Sequence, residues 1–192
     1  MSPIPNTPMH TPIRIDLHDG FYLSPVQDGD QSAYLKHFAD KDTADRLLKI
    51  PYPYTKEDAE KWVRYCVDSA QTAPHVTTFA LRRADGFLIG GAGLVLNTGT
   101  SAHRGEIGYW VSKNYRGRGL ATAAVKALSH YGFEDLGLRR LEATAFPHNA
   151  ASHRVLERAG FTREGELKGY HCKNGVLIDA CMYALVKTSA HG

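Results

Sequence analysis

The chain has little cysteine: three residues, Cys66, Cys172 and Cys181, in 192. An odd number without a CxxC pair builds neither a disulfide framework nor a zinc site, so no metal is expected and a cytoplasmic, reducing compartment fits this usage. Long apolar runs are also missing. The longest, Phe87 to Leu96, covers ten residues broken by glycine, against the roughly 20 that span a bilayer. No transmembrane helix and no membrane partner are therefore expected. Nor is there an excess of one charge, since 23 basic residues face 20 acidic ones for a net charge of +3. So small and dispersed a balance argues against nucleic acid as the main partner. No internal repeat is present, and no GxxxxGK[ST] run, which removes repeat architectures and Walker-type nucleotide binders.

What is present is the composition of one ordinary globular domain, 43% hydrophobic and 22% charged, long enough to bury a single core. The first residues read MSPIPNTPMHTP. They lack the basic-then-apolar order of a secretory signal, so residues 1–12 are expected to form a flexible leader before a domain at 13–188 and a short tail at 189–192.

Periodicity orders the domain. Two short strands are expected at Ile13 to Leu17 and Phe21 to Pro25, then a helix from Asp28 to Ala39 with Asp28 and Asp30 able to cap it. From Thr55, T-K-E-D resembles a capping region, and Ala59, Trp62, Val63 and Cys66 form one apolar stripe of a second helix. Val76 to Arg83, Leu88 to Asn97 and Arg104 to Val111 alternate between turn residues, the pattern of an antiparallel meander. A helix follows Gly119 as far as Gly137, then a strand at Leu141 to Phe146. Asn149 can cap another helix that stops at Gly160, and Asn174-Gly175 joins two last strands near Phe161 to Cys172 and Val176 to Lys187.

Chemistry concentrates in Glu106 to Thr122, E-I-G-Y-W-V-S-K-N-Y-R-G-R-G-L-A-T, where a strand runs through a basic, glycine-containing turn straight into a helix. Gly117 and Gly119 permit a sharp turn and close approach of a ligand. The free N–H groups of the first helical turn favour an anion, and Arg116 and Arg118 can add charge. A dinucleotide fingerprint is a poor match, because G-R-G-L-A lacks the third glycine and the preceding strands are antiparallel.

Arg116-Gly117-Arg118-Gly119-Leu120-Ala121 resembles the Q/R-x-x-G-x-G/A signature of the GNAT N-acetyltransferases. Glu106 to Phe161 resembles that family's core in order and spacing, including Y-W-V, L-G-L-R-R-L-E-A and N-A-A-S-H-R-V-L-E-R-A-G-F, and roughly Arg14 to Lys187 can be laid on its fold. The wording is most similar to the RimJ/RimL-like branch, whose members acetylate protein amino termini or assorted small amines. The resemblance implies an α/β fold whose mixed central sheet splays beside Glu106 to Val111, with acetyl-CoA as cosubstrate in the gap. Its pantetheine arm would pair with backbone near Trp110 and Val111. Its pyrophosphate would rest on N–H groups of Arg116, Gly117, Arg118, Gly119, Leu120, Ala121 and Thr122.

Acetyl transfer to an amine needs a neutral nucleophile, a polarised carbonyl and a proton for the departing thiolate. A protein α-amine costs roughly 1 kcal/mol to deprotonate at pH 7, a lysine-like amine roughly 4 to 5 kcal/mol. Glu106, on the face of Gly108 and Trp110, is the candidate base, with a partner role for Arg104 as the plain alternative. The resemblance gives Asn149 pantetheine contacts and Ser152 a hydrogen bond to the sulfur, although both residues also suit a helix cap. Many relatives place a tyrosine general acid seven residues after that Asn, where this chain has Leu156. Tyr170 and His171 are expected near the acceptor mouth, and Trp62 with Tyr52 and Tyr54 near the acceptor groove or in the core. His148 and His153 are five apart and do not form a metal pair.

The expectation is direct transfer from acetyl-CoA to a primary amine, either a protein N-terminus or a small molecule, by a monomer or homodimer, with the oxyanion held by a strand N–H near Val111. Two rivals are a non-catalytic acyl-CoA sensor of the same fold and a small RNA-binding domain using Lys113, Arg116, Arg118, Arg139 and Arg140.

Overall fold

The computed structural model describes residues 13–188, so the leader at 1–12 and the tail at 189–192 lie outside the described residues. In chain order the elements are β1 (Ile15–Asp16), β2 (Tyr22–Pro25), α1 (Gln31–Phe38), α2 (Lys41–Asp45), α3 (Lys56–Thr72), β3 (Thr78–Arg82), β4 (Leu88–Leu96), β5 (Arg104–Val111), α4 (Leu120–Glu134), β6 (Arg140–Ala145), α5 (Ala150–Arg158), β7 (Thr162–Lys173) and β8 (Val176–Val186). The strands form one sheet in the order β1-β2-β3-β4-β5-β6-β8-β7. Every neighbouring pair is antiparallel except β5 and β6.

Local chemistry accounts for most boundaries. Thr55 accepts from the Asp58 N–H while Asp58 accepts from the Thr55 N–H, a complete capping box that starts α3. Asn174 and Gly175 both take positive φ, 53° and 79°, as a two-residue hairpin turn with strand-matching twist requires. The first helix differs from expectation. It begins at Gln31, and Asp30 makes no side-chain cap. The Asp30 carboxylate instead accepts from the Gln27 N–H at 2.8 Å and from both terminal nitrogens of Arg82 at 2.7 and 2.8 Å. The five-residue α2 has no counterpart in the periodicity, being too short to show any; Asp40 starts it by accepting from the Thr43 N–H.

Apolar side chains bury on both faces of the sheet. Phe79, Ile107, Leu120, Leu128, Leu141 and Leu156 fill the side covered by α4 and α5, and Tyr34, Phe38, Tyr54, Val63 and Leu88 fill the side covered by α1 and α3. Between these layers, β5 and β6 pair at only three positions: Arg104 with Arg140, Gly105 with Leu141, and Glu106 with Glu142. Beyond Glu106 the two strands continue to Val111 and Ala145 without pairing. The sheet opens there into a wedge-shaped gap.

Candidate active site

Ladder alternation decides which main-chain groups face the gap. The Asn97 N–H donates to the Arg104 carbonyl and the Ser112 N–H to the Ile89 carbonyl, so even-numbered residues of β5 bond to β4. The odd-numbered Ile107, Tyr109 and Val111 therefore turn their main-chain groups the other way, into the gap. Trp110 lies in register with Gly91, and its ring packs against Phe38 at 4.6 Å and Tyr34 at 6.0 Å. Of the two positions expected to offer pairing groups, Val111 faces the gap and Trp110 does not, its place being taken by Tyr109.

The bend after β5 supplies a row of free amides. Gly117 and Gly119 adopt φ of 78° and 76°, left-handed values that are easy for glycine and costly for branched residues. Among the described residues, the N–H groups of Gly117, Arg118, Gly119, Leu120, Ala121 and Thr122 donate to no protein acceptor, and the first bond of α4 runs from the Ala123 N–H to the Gly119 carbonyl. The Arg116 N–H is different, reaching the Lys113 carbonyl at 3.4 Å. Its side chain is committed as well: Nε donates to the Val111 carbonyl at 3.0 Å, Nη1 to Asp42 at 2.6 Å and Nη2 to Thr43 at 3.0 Å. Arg46 and Arg116 hold the Asp42 carboxyl well below the usual carboxylate range. Arg116 accordingly fastens α2 to the end of β5, and Arg118 is the arginine left at the surface of the bend, over the Tyr115 ring.

Glu106 sits at the vertex of the wedge, exposed. Arg104 does not pair with it; its guanidinium and that of Arg140 both bind Glu142, at 3.2 and 2.8 Å. No cation is paired with Glu106 among the described residues. Its one side-chain contact is the Thr144 hydroxyl, which donates to Oε1 at 3.4 Å. The same hydroxyl lies 3.1 Å from Nε2 of His171.

Across the gap, Asn149 caps α5 by accepting from the Ser152 N–H at 3.2 Å. Ser152 Oγ stands 2.7 Å from the Tyr109 hydroxyl. Burial pushes the Tyr109 phenol up to about 12, an effect the Ser152 bond opposes, so the phenol keeps its proton at neutral pH. Leu156 is fully buried in the core. Sequence reasoning did not single out Tyr109, because its pairing with Ser152 joins residues 43 positions apart.

A single cleft of about 630 Å³ joins these groups, lined by Glu106, Gly108, Tyr109, Thr144, Ser152, His171 and, from the bend, residues 116, 117 and 119–122. Trp62 also lines it, packed edge-on to Tyr34, whereas Tyr52, Tyr54 and Tyr170 do not. His153 uses one nitrogen toward the Tyr183 hydroxyl and the other toward the Pro147 carbonyl, and His148 stacks on Phe146. No cluster of three metal-ligating side chains occurs among the described residues.

Comparison with known proteins agrees with this geometry. Residues 21–162 match the Acetyltransferase (GNAT) domain family. The chain is 33% identical to the uncharacterized N-acetyltransferase YnaD of Bacillus subtilis over 135 residues, 70% of this chain and 75% of YnaD. It is 39% identical over 89 residues to the putative ribosomal N-acetyltransferase YdaF of the same organism, 46% of this chain and 49% of YdaF. In matches of that second kind the chain spans about half the length of the curated relative. Mycobacterium smegmatis RimJ, solved in complex with CoA-disulfide, superposes with a TM-score of 0.75 at 26% identity, covering 92% of this chain and 87% of RimJ. A sheet parted at one parallel seam, a bend of unbonded amides beside it and these matches lead to one conclusion: the chain belongs to the GNAT family of N-acetyltransferases, in its RimJ/RimL-like branch.

Proposed function

We propose that this protein transfers the acetyl group of acetyl-CoA directly to a primary amine, with a protein N-terminal α-amine as the preferred acceptor. The observation that carries the reading is the continuity of the cleft, which runs from the bare amides of 117–122, past Tyr109 and Val111, to the unpaired carboxylate of Glu106. Free amides at a helix start favour a diphosphate, and gap-facing strand groups favour an extended amide-bearing arm that completes the ladder. The site fits coenzyme A on both counts. The acetyl thioester supplies the electrophile.

The remaining roles fall to the chain's own residues. The Val111 N–H points into the gap, where it can meet negative charge building on a carbonyl oxygen. Glu106 draws the proton from the amine, directly or through water. Ser152, whose Oγ stands 2.7 Å from the Tyr109 hydroxyl, donates a hydrogen bond to the departing sulfur. An α-amine acceptor suits so exposed a base, since freeing it costs only about 1 kcal/mol at pH 7. The name of YdaF, a putative ribosomal N-acetyltransferase, supports a protein acceptor. The RNA-binding rival loses ground because Arg116 is tied to Asp42 and Arg140 to Glu142 and Glu164.

The test is thermal denaturation with acetyl-CoA at a hundred times its Kd, where a ligand specific for the folded state adds about 2.7 kcal/mol. A panel of peptide N-termini and small amines then follows. Stabilisation with turnover of an α-amine is expected. Stabilisation without turnover of any amine would establish the sensor reading instead, and no stabilisation would remove the cosubstrate assignment.

A further inference from the structure

We propose that Thr144 and His171 are positioning residues that aim the Glu106 carboxylate at the acceptor amine, an inference that rests on Glu106 being the base. The three side chains come from three strands, β5, β6 and β7, and converge on one wall of the cleft. Thr144 Oγ1 is 3.4 Å from Glu106 Oε1 and 3.1 Å from His171 Nε2. A hydroxyl has one hydrogen to give and lone pairs to receive with. Since Glu106 can only accept when ionised, Thr144 donates to it, and the hydroxyl oxygen is left to accept from the Nε2–H of His171. Every hydrogen of the chain thus points toward the carboxylate. Without it, an exposed glutamate on a strand has no cation to fix its rotamer among the described residues.

His171 reaches this place against the plain order of the sheet. β8 lies between β6 and β7, so a flat β7 would keep the imidazole a strand too far from Thr144. The register of β7 on β8 shifts between Leu167 and His171, and within that shift Gly169 adopts φ of 58°, a left-handed conformation suited to glycine. The Gly169 N–H donates to Asp179 at 2.8 Å, which pins the bend. Two residues beyond His171, the Lys173 ammonium donates to the carbonyls of Ala44 and Leu47 at 2.8 and 2.7 Å, anchoring the strand end over the cleft. Bulge, left-handed glycine and anchor together carry the imidazole across β8 to the hydroxyl of β6.

The experiment measures steady-state kinetics with acetyl-CoA and the best amine of the panel, together with the protonation of His171 by nitrogen-15 NMR. Thr144→Val should lower kcat roughly tenfold, the order of one hydrogen bond to a charged group, with the KM for acetyl-CoA unchanged. Thr144→Ser keeps the hydroxyl and should recover most of the rate. His171→Phe should resemble Thr144→Val, while His171→Gln, which retains an N–H donor, should lose less. The Nε2–H tautomer is expected in the resting enzyme. Wild-type kcat in Thr144→Val, or the Nδ1–H tautomer at His171, would overturn the inference. Glu106→Gln separates the two levels: if it is inactive while Thr144→Val is normal, only the positioning role falls; if it turns over at the wild-type rate, the assignment of the base falls and the inference with it.

Discussion

The hydroxyls of Tyr109 and Ser152 meet at 2.7 Å across the parted strands, one from β5 and the other from the first turn of α5. Tyr109 keeps its proton well above neutrality because it is buried. It also lies 3.3 Å from the Ser152 carbonyl, to which it can donate, so in the hydroxyl pair itself either oxygen can supply the hydrogen. A half-buried tyrosine and a helix-capping segment become a single hydrogen-bonded pair.

Ser152→Ala should lower kcat about a hundredfold, the scale of losing a general acid, with a much smaller change in acetyl-CoA affinity by calorimetry. Tyr109→Phe should cost less, about threefold to tenfold, because Ser152 remains but loses its hydroxyl partner at 2.7 Å. Equal losses of rate and affinity in Ser152→Ala would make it a structural cap.

The pair also sets a pH dependence. The Tyr109 phenol rises from 10.0 to about 12 on folding, so the protonated form is favoured in the folded chain. Its contribution to stability is complete below pH 10 and disappears as the pH climbs through about 12. Urea denaturation at pH 8 and pH 11 should show a smaller alkaline loss in Tyr109→Phe than in the wild type.

Gly119→Val forces a branched side chain into φ of 76° at the start of α4 and crowds the amides beside it. Acetyl-CoA binding should vanish in calorimetry while the circular dichroism of the fold persists. Retained affinity would remove the bend from the cosubstrate site.

Gly108 is a different glycine. An added Cβ there meets no atom within 4 Å, and no positive φ requires glycine. Its neighbour across the ladder, Gly93, would press a Cβ to 3.1 Å from the Thr77 carbonyl. Gly108→Ala should therefore leave stability and acetyl-CoA affinity unchanged while raising the KM for the amine severalfold, because the methyl occupies the floor between Glu106 and Trp110. A destabilised variant would show that the space is not free.

Asp30→Ala removes the carboxylate that neutralises the Arg82 guanidinium, whose side chain is only 4% exposed and keeps the uncharged partners Ser24 Oγ and the Pro25 and Gly86 carbonyls. Loss of one partner of a buried pair costs about 3–5 kcal/mol, to be read as a lower urea midpoint. The double variant Asp30→Ala with Arg82→Met should regain part of that loss.

The sequence showed those features that neighbouring residues decide. The limits of β5, the capping box at Thr55 and the turn at Asn174-Gly175 all follow from a few adjacent side chains, and the structure has them where they were expected. The glycine bend was legible for the same reason. What escaped notice depends on contacts between distant segments. Asp30 looks like a helix cap until Arg82 arrives from 52 positions away; Arg116 looks free until α2 folds against it. Thr144 carries no motif at all, and its meaning comes only from Glu106 and His171 on either side.

The three-residue seam between β5 and β6 has a thermodynamic corollary. Two blocks of strands share so short a weld that a molecule lodged in the opening becomes the missing rung between them. Under the proposed function, the protein loaded with acetyl-CoA should melt later and resist a protease longer than the empty one.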